Sequence, residues 1–256
     1  MAHFIYPNAN LYDVEPVGGE QSSNDFVANA DVTNEARLTD ISTATAAGFP
    51  AQFDAVRFDL SATGNAIDAI ALNANATDTD NVQFYSSSAD ASGVFGSFIS
   101  GSEFSSTFSV GWNVKTDLSS SNRYVFMRNG GGGDNVLNIF TEVILGKKLD
   151  LTNVTLSGNE GKSFGNDVVT SYGGVEFSNL RHEGKRFYNF NLDHVNETYK
   201  TNLETMRDAV RGSHYKLLYY DGSTYHYVRL SNDSLQFKEV AVGVYDTKIS
   251  LVEQLS

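Results

Sequence analysis

Apolar and polar residues alternate along much of the chain, a pattern typical of β-strands that have one buried face. In residues 53–60, for example, Val56 and Phe58 fall on one face of a strand, while Arg57 and Asp59 fall on the other. Similar short patterns, separated by turns rich in Gly, Ser, Asn and Asp, follow at residues 66–73, 82–85, 93–99, 107–114, 123–128 and 136–145. Strands at this regular spacing predict an antiparallel β-sandwich.

A hairpin is predicted early in the C-terminal part of the chain. Strand patterns at residues 174–180 and 185–192 flank the segment Arg181-His-Glu-Gly184. A glycine at the tight point favours a turn, so we expect the chain to reverse direction at these four residues.

One helix is predicted after this hairpin, over residues 196–211. Apolar residues recur there at helical spacing, Asn196 or Thr198 can cap the start, and Gly212 can end it. Strand patterns resume at residues 216–220, 225–230, 235–242 and 245–252, with a turn signal at residues 221–224. This order predicts an α+β arrangement in which the helix packs on a mostly antiparallel sheet.

The first fifty residues have a different character. They are polar, rich in small residues and weakly periodic, and all three prolines of the chain lie among them. We interpret them as an N-terminal arm, or alternatively as an extended lead-in to the first strand. The predicted division is therefore an arm (residues 1–50), a β-sandwich (51–149) and a β domain with a helix (150–256).

Composition narrows the classes of partner and chemistry. The net charge is −13 and the pI is about 4.7, so free nucleic acid and an anionic membrane surface would repel the chain. The chain contains no cysteine, which excludes disulfides, thiolate zinc sites and cysteine nucleophiles. The acidity is concentrated in residues 1–150, with a balance of −11 against −2 for the remainder.

Membrane insertion and secretion are not expected. No run of 18 or more apolar residues occurs anywhere in the sequence. The N-terminal residues lack a basic segment followed by a sustained apolar stretch, so we expect no secretory signal.

No motif for catalysis or cofactor binding stands out. The histidines lack the spacing of a zinc protease motif, so a zinc site of histidine and carboxylate is disfavoured. Residues 96–101 lack the spacing of a serine nucleophile elbow, and Gly130-Gly-Gly-Gly133 lacks the lysine of a phosphate-binding loop. Accidental carboxylate pairs leave glycoside cleavage open, although nothing singles one pair out. We expect no catalytic, cofactor-binding or metal-binding residues.

Two features remain open. The segment of residues 75–81, which includes Asp78 and Asp80, concentrates the hard oxygen ligands that calcium prefers, although such residues also favour turns. Four tyrosines could form a sugar-binding or protein-binding strip, but facing strands more often use such rings as cross-strand packing pairs. These tyrosines are Tyr219, Tyr220, Tyr225 and Tyr227.

Residues 53–148 resemble the galactose-binding-like jelly rolls. The resemblance rests on residues 53–60, on Arg123-Tyr-Val-Phe-Met-Arg128 and on the closing strand that ends in Leu145-Gly146. It implies a jelly-roll fold rather than a particular ligand.

Residues 144–256 resemble structural proteins of bacteriophage tails, especially the distal-tail and tail-tube-like building blocks. The resemblance rests on Ile144-Leu-Gly-Lys147, Ser171-Tyr-Gly-Gly-Val175, Arg186-Phe187, the helix at residues 196–211 and the final Leu251-Val-Glu253. It implies a mainly β chain in which the jelly-roll-like sandwich precedes a tail-tube-like β-sandwich with one flanking helix.

The resemblance to tail proteins implies a virion protein without catalysis or cofactor, made in the host cytoplasm and built into the tail. Copies of the chain would form a ring and contact other tail proteins, with edge strands and the hairpin between subunits. An acidic lumen would repel DNA and let it slide past without sequence-specific binding. The alternative is a virion module that binds a host receptor or glycan through the jelly roll. An enzyme acting on polysaccharide ranks last.

Overall fold

The fold is mainly β. A computed structural model describes residues 1–7, 13–17, 27–29, 36–39, 55–60, 66–74, 77, 81–88, 97–104, 108–129, 140–151, 154–155 and 159–254. The chain divides into two compact units, which are Ile5–Lys148, and Met1–Phe4 together with Leu149–Ser256. The first four residues thus belong to the C-terminal unit. The sequence predicted domain boundaries at residues 50 and 149. The structure has one division between units, after Lys148, and the first four residues of the chain group with the C-terminal unit.

The N-terminal unit contains two antiparallel sheets. One has the strand order β2-β5-β10-β7-β8, and the other joins β9, β6, β11, β4 and β3 in that order. The strands in chain order are β1 (His3–Pro7), β2 (Asp13–Val17), β3 (Val27–Asn29), β4 (Ala36–Thr39), β5 (Ala55–Asp59), β6 (Ile67–Ala74), β7 (Val82–Ser87), β8 (Ser97–Phe98), β9 (Gly111–Ser120), β10 (Tyr124–Asn129) and β11 (Phe140–Asp150).

The core of this unit lies between its two sheets. One cluster of buried side chains combines Phe58, Phe84 and Met127 from the first sheet with Leu72 and Val143 from the second. Burying such side chains stabilises the fold by about 1.5–3 kcal/mol each. The alternation in the sequence reflects this arrangement, because each strand turns its apolar face toward the other sheet.

One ion pair in this unit is held largely out of solvent. Arg123 donates from Nε and a terminal nitrogen to the two carboxylate oxygens of Asp59, both at 2.7 Å. Asp59 is 4% exposed, whereas the Arg123 side chain is 36% exposed. A two-bond guanidinium–carboxylate contact is strong, and losing the arginine would take both bonds away from a buried carboxylate.

The C-terminal unit is an antiparallel sheet flanked by a helix. β14 pairs with β12, β13 and β18, while β18 also pairs with β16 and β17, and β16 pairs with β15. The strands are β12 (Val154–Thr155), β13 (Glu160–Thr170), β14 (Glu176–Asn196), β15 (Lys216–Tyr220), β16 (Tyr225–Leu230), β17 (Phe237–Ala241) and β18 (Val244–Glu253). The helix, α1, spans Glu197–Ala209.

Helix α1 follows β14 without a connecting loop. The Asn196 side chain accepts a hydrogen bond from the Tyr199 N–H at 2.8 Å and caps the helix. Leu203 and Met206 are buried on the face that meets the sheet. The helix ends before Gly212, whose φ of +67° fits a residue without a side chain.

The predicted fold class is confirmed: the sheets are antiparallel and the helix lies where the sequence pattern put it. The predicted strands of residues 53–149 correspond to β5–β11, and those after the helix correspond to β15–β18. Among the described residues, no helix is long and apolar enough to cross a membrane.

The predicted hairpin turn at residues 181–184 is wrong. These residues lie inside β14, which runs without interruption from Glu176 to Asn196. Gly184 lies within the strand, where a Cβ would come 2.5 Å from the flexible end of the Lys162 side chain. The chain reverses earlier, at residues 171–175, and β13 is the partner strand.

The helix cap gives a first prediction. Asn196→Ala should lower the free energy of unfolding by about 1 kcal/mol, because the Tyr199 N–H loses its acceptor. Asn202→Ala makes the same change at an exposed interior position of α1, where alanine favours the helix, and serves as the control. Denaturant titration of both variants measures the difference, and equal effects would contradict the capping role.

The Arg123–Asp59 pair gives a second prediction on stability. Arg123→Ala should lower the free energy of unfolding by about 2 kcal/mol, less than the 3–5 kcal/mol of a fully buried pair. Adding Asp59→Asn should recover part of this loss, since it removes the charge of the buried carboxylate. Chemical unfolding of the single and double variants tests this, and a double variant no more stable than the single one would argue against it.

Candidate assembly surface

A two-stranded ribbon projects from the sheet of the C-terminal unit. β14 pairs with β18 only from Phe187 onward, whereas β13 accompanies β14 back to Glu176. The Arg186 N–H donates to the side chain of Glu253, the last residue of β18, at 3.0 Å. The segment beyond this point, residues 163–185, is called the ribbon below. From Glu176 to Lys185 it extends about 30 Å, at about 3.3 Å per residue.

A five-residue turn closes the ribbon. The Ser171 N–H donates to the Val175 carbonyl at 2.8 Å, and the Gly174 N–H donates to the Ser171 carbonyl at 2.9 Å. Gly174 has a φ of +79°, which residues with a side chain rarely adopt. The Ser171 hydroxyl accepts the Val175 N–H at 3.1 Å, so the backbone of the turn is well bonded.

The ribbon exposes apolar side chains on both of its faces. Val168 and Val169 are neighbours in one strand and therefore point in opposite directions, yet they are 58% and 64% exposed. Phe177, directly opposite Val169, is 62% exposed. Phe164, Tyr172 and Val175 are also exposed. An isolated two-stranded hairpin is marginally stable in water, so the ribbon would gain stability from a partner.

The sequence patterns missed strand β13 for a physical reason. A strand gives a period-two pattern only when one face is buried, and the described side chains of β13 within the ribbon, such as Phe164, Val168 and Val169, are exposed. The feature of the sequence that could have indicated this hairpin is the Gly173-Gly174 pair, which lies between two segments of similar length. Such a pair favours a tight turn.

A second exposed apolar surface lies at the other end of β14. Val242 is exposed in the turn between β17 and β18, where Gly243 adopts a φ of +70°, and Val240 is exposed near the end of β17. β18 begins beside the last residue of β14, since Val244 pairs with Asn196. Residues 237–244 are called the β17 hairpin below. Within the described part of the chain, β17 pairs only with β18, which leaves its outer edge available.

An open cleft of about 400 Å³ adjoins the β17 hairpin. Charged residues of both signs line it: Asp193 from β14, Lys238 from β17, and Asp246 and Lys248 from β18. Lys238 and Asp246 are directly paired across the two strands. These charged side chains contrast with the exposed Val240 and Val242 nearby.

The four candidate tyrosines do not form one strip. Tyr219 pairs across the strands with His226, whereas Tyr220 pairs with Tyr225, so Tyr219 and Tyr220 lie on opposite faces. Tyr219 packs against Tyr188, with ring centroids 5.2 Å apart, and burial, helped by the charge of Asp221, raises its pKa to about 12. Tyr219 and Tyr227 are buried, which favours a packing role.

The other face of this hairpin holds the N-terminus of the chain. The His3 ring lies 4.9 Å from the Tyr220 ring and 5.7 Å from the Tyr225 ring, between centroids. Its Nε2 lies 3.2 Å from the Tyr225 hydroxyl, and its Nδ1 lies 3.1 Å from the Met1 carbonyl. The aromatic residues therefore anchor the first residues of the chain within the C-terminal unit.

The His226 ring and the Asp221 carboxylate form a hydrogen-bonded pair at the β15–β16 turn. The His226 Nε2 lies 2.9 Å from one Asp221 oxygen. The other oxygen accepts bonds from the Ser223 N–H and hydroxyl and from the Thr224 N–H. Burial opposes ionisation of Asp221, but these hydrogen bonds, that of His226 foremost, hold its pKa well below the usual range. The arrangement fixes the turn between the two strands.

The remaining sequence candidates do not converge on one site. Asp78, Asp80 and the glycines at 130–133 lie outside the described residues, as does the side chain of His182. His194 and His214 are exposed at separate places in the C-terminal unit. Among the described residues, no group of three or more His, Asp or Glu side chains is placed to hold a metal ion. Several loops through which the sandwich could bind a glycan are also outside the described ranges.

Comparisons of the chain with protein-family models, with curated proteins and with solved structures found no match. What supports a function is therefore the ribbon and the β17 hairpin, together with the resemblance stated above.

The Asp221–His226 pair gives a prediction on pH dependence. The folded-state pKa of Asp221 lies below its unfolded value of about 3.9, so its stabilising contribution is present above that pH and is lost as the pH falls toward the folded value. Asp221→Asn should therefore be less stable than the parent chain at pH 7, and the difference should shrink below about pH 4. Thermal unfolding from pH 3 to 7 measures it, and a constant difference would contradict the assignment.

Proposed function

We propose that the chain is a non-enzymatic structural subunit of a phage tail, placed at the distal tail, the tail tip or an adaptor ring. In this role it is made in the host cytoplasm and joins the virion by binding copies of itself and other tail proteins. The observation that carries the assembly role is the ribbon, which exposes apolar side chains on both faces. The phage setting is supported by the sequence resemblance alone.

The physical argument for assembly starts from solvent exposure. Apolar side chains that stay in water in the single chain forgo the stabilisation that burial would supply, about 25 cal/mol for each Å². Large exposed apolar patches on folded proteins usually mark interaction sites. The ribbon is also too far from the sheet for the rest of that sheet to cover it, since β18 ends beside Phe187.

The charge of the chain fits a role without nucleic acid binding. The excess of acidic residues over the whole sequence is 13. A surface of this sign repels phosphate groups, which suits a conduit or an adaptor past which DNA moves.

The test is to place a charge on the ribbon and measure assembly. Val169→Glu should raise the concentration needed for self-association at least about tenfold, because a charge buried at an apolar contact is unfavourable. Val110→Glu is the matched control, since Val110 is 66% exposed and lies in a bend outside the strands and outside the ribbon. Native mass measurement and sedimentation over a range of concentrations report the state of each protein.

Both variants should unfold like the parent chain, because neither valine is buried. A parent chain that stays monomeric at every concentration, alone and with purified tail proteins, would overturn the proposed function. Equal loss of association in the two variants would show that the ribbon is not the surface through which the chain assembles.

A further inference from the structure

We propose that the open cleft beside the β17 hairpin binds a neutral saccharide through hydrogen bonds to the hydroxyl groups of the sugar. The cleft has a volume of about 400 Å³ and lies wholly within the C-terminal unit. This inference does not depend on the assembly role, because the side chains that carry it belong neither to the ribbon nor to the exposed valines.

The polar side chains of the cleft share one face of three neighbouring strands. Lys238 is directly paired with Asp246 across β17 and β18, and Asn191 is paired with Lys248 across β14 and β18. Directly paired residues of antiparallel strands point to the same side of the sheet. Side chains two residues apart along a strand are about 7 Å apart and neighbouring strands are about 4.8 Å apart, so three strands offer a face of about 7 by 10 Å. A six-membered sugar ring with its hydroxyl groups is of this size. The polar side chains on this face are Asn191, Asp193, Gln236, Lys238, Asp246 and Lys248.

A β-bulge shapes one end of the cleft. The register of β14 against β18 shifts between Leu192 and Val195, and His194, which lies within this bulge, has a φ of +57°. Such a bulge re-aims the side chains around it, and bulges are common next to binding sites. The His194 N–H donates to one carboxylate oxygen of Asp246 at 2.9 Å. This bond fixes the orientation of the carboxylate and leaves its second oxygen available to a ligand.

The hydrogen-bond acceptors of the cleft lie deeper than its ammonium groups. Asn191, Asp193 and Asp246 are half-buried, whereas the lysines are exposed. Within the described part of the chain, Lys238 and Lys248 form no ion pair. A sugar hydroxyl donates one hydrogen bond and can accept others. A floor of carboxylate and amide oxygens with ammonium donors at the rim therefore satisfies both roles of a hydroxyl group.

The charge of the cleft selects a neutral ligand. Its two aspartates and two lysines balance, so the carboxylates that attract a cation are offset by the ammonium groups, and the reverse holds for an anion. An apolar ligand gains little there, because Phe237 is paired with Thr247 and points to the opposite side of the sheet. A neutral molecule that carries several hydroxyl groups fits these constraints, and saccharides are the class with this chemistry.

Titration of the isotopically labelled chain tests the site. Glucose, galactose, mannose and N-acetylglucosamine are added in turn, and inorganic phosphate and calcium chloride are added separately as charged probes. Shifts of the backbone amide signals report the residues that each probe affects. We expect at least one sugar to bind with a dissociation constant on the order of 1 mM, which is typical of the affinity that a molecule of this size can reach. The shifts should be concentrated at Asn191, Lys238 and residues 246–248.

Two variants of the cleft and one matched control sharpen the test. Asp246→Asn should weaken sugar binding at least about tenfold, because a hydrogen bond to a carboxylate is stronger than one to an amide. Lys248→Met removes an exposed donor and should also weaken binding, by a few-fold, without affecting the fold. Asp208→Asn makes the same change as Asp246→Asn at an exposed position of helix α1, outside the cleft, and should bind like the parent chain. Thermal unfolding of each variant checks that the chain remains folded.

Several results would overturn the inference. One is the absence of a saturable shift from every sugar at concentrations that would fill a site with a dissociation constant on the order of 1 mM. Another is sugar binding that shifts residues elsewhere or is equal in Asp246→Asn and Asp208→Asn. A third is saturable binding of phosphate or calcium at these residues without any response to sugar. None of these results bears on the assembly role, which the association of Val169→Glu tests separately.

Discussion

The uninterrupted strand β14 is the element on which the rest of the C-terminal unit depends. Its second half, from Phe187 onward, is fixed in the sheet by β18, and its last residue caps helix α1. Its first half has only β13 as a partner. Because one backbone runs through both halves, the well-buried sheet provides a rigid base for a segment that would not be stable by itself. The same strand therefore connects the core of the unit to its most exposed apolar surface.

The aromatic residues of this unit belong to the base and not to the projecting surface. Tyr188 and Phe190 lie in the half of β14 that β18 supports, and both pack on Tyr219. Tyr220 and Tyr225 pack with His3 on the opposite face of the β15–β16 hairpin. Rings that stabilise a sheet on both faces are unavailable for an extended binding strip. The apolar surface that remains exposed is made of valines and of rings near the end of the ribbon.

Burial decided which elements could be predicted from the sequence. The strands of the sandwich and helix α1 each have one buried face, so residues such as Phe58 and Leu203 recur with the period of their element. The described side chains of β13 in the ribbon are exposed, so this strand shows no such period. Gly184 misled the prediction because a glycine suits a tight turn and a close strand-to-strand approach equally well. The sequence shows that residue 184 is a glycine, but only the fold shows that its neighbour is Lys162 of the adjacent strand.

Two edge strands of the C-terminal sheet, β13 and β17, differ in the side chains that they expose. Folded proteins often place charged side chains on an edge strand, because an edge strand without them can pair with other chains. β17 carries exposed Lys238 and Glu239, followed by exposed Val240 within the strand and Val242 in the turn. β13 presents Val168 and Val169 side by side near the end of the ribbon, and both are more than half exposed. Charged side chains make an edge strand less prone to pair with another chain, and adjacent exposed valines do not. Exposed apolar area is what an interaction surface offers, so the valines of β13 are the part of this sheet on which the proposed assembly role rests.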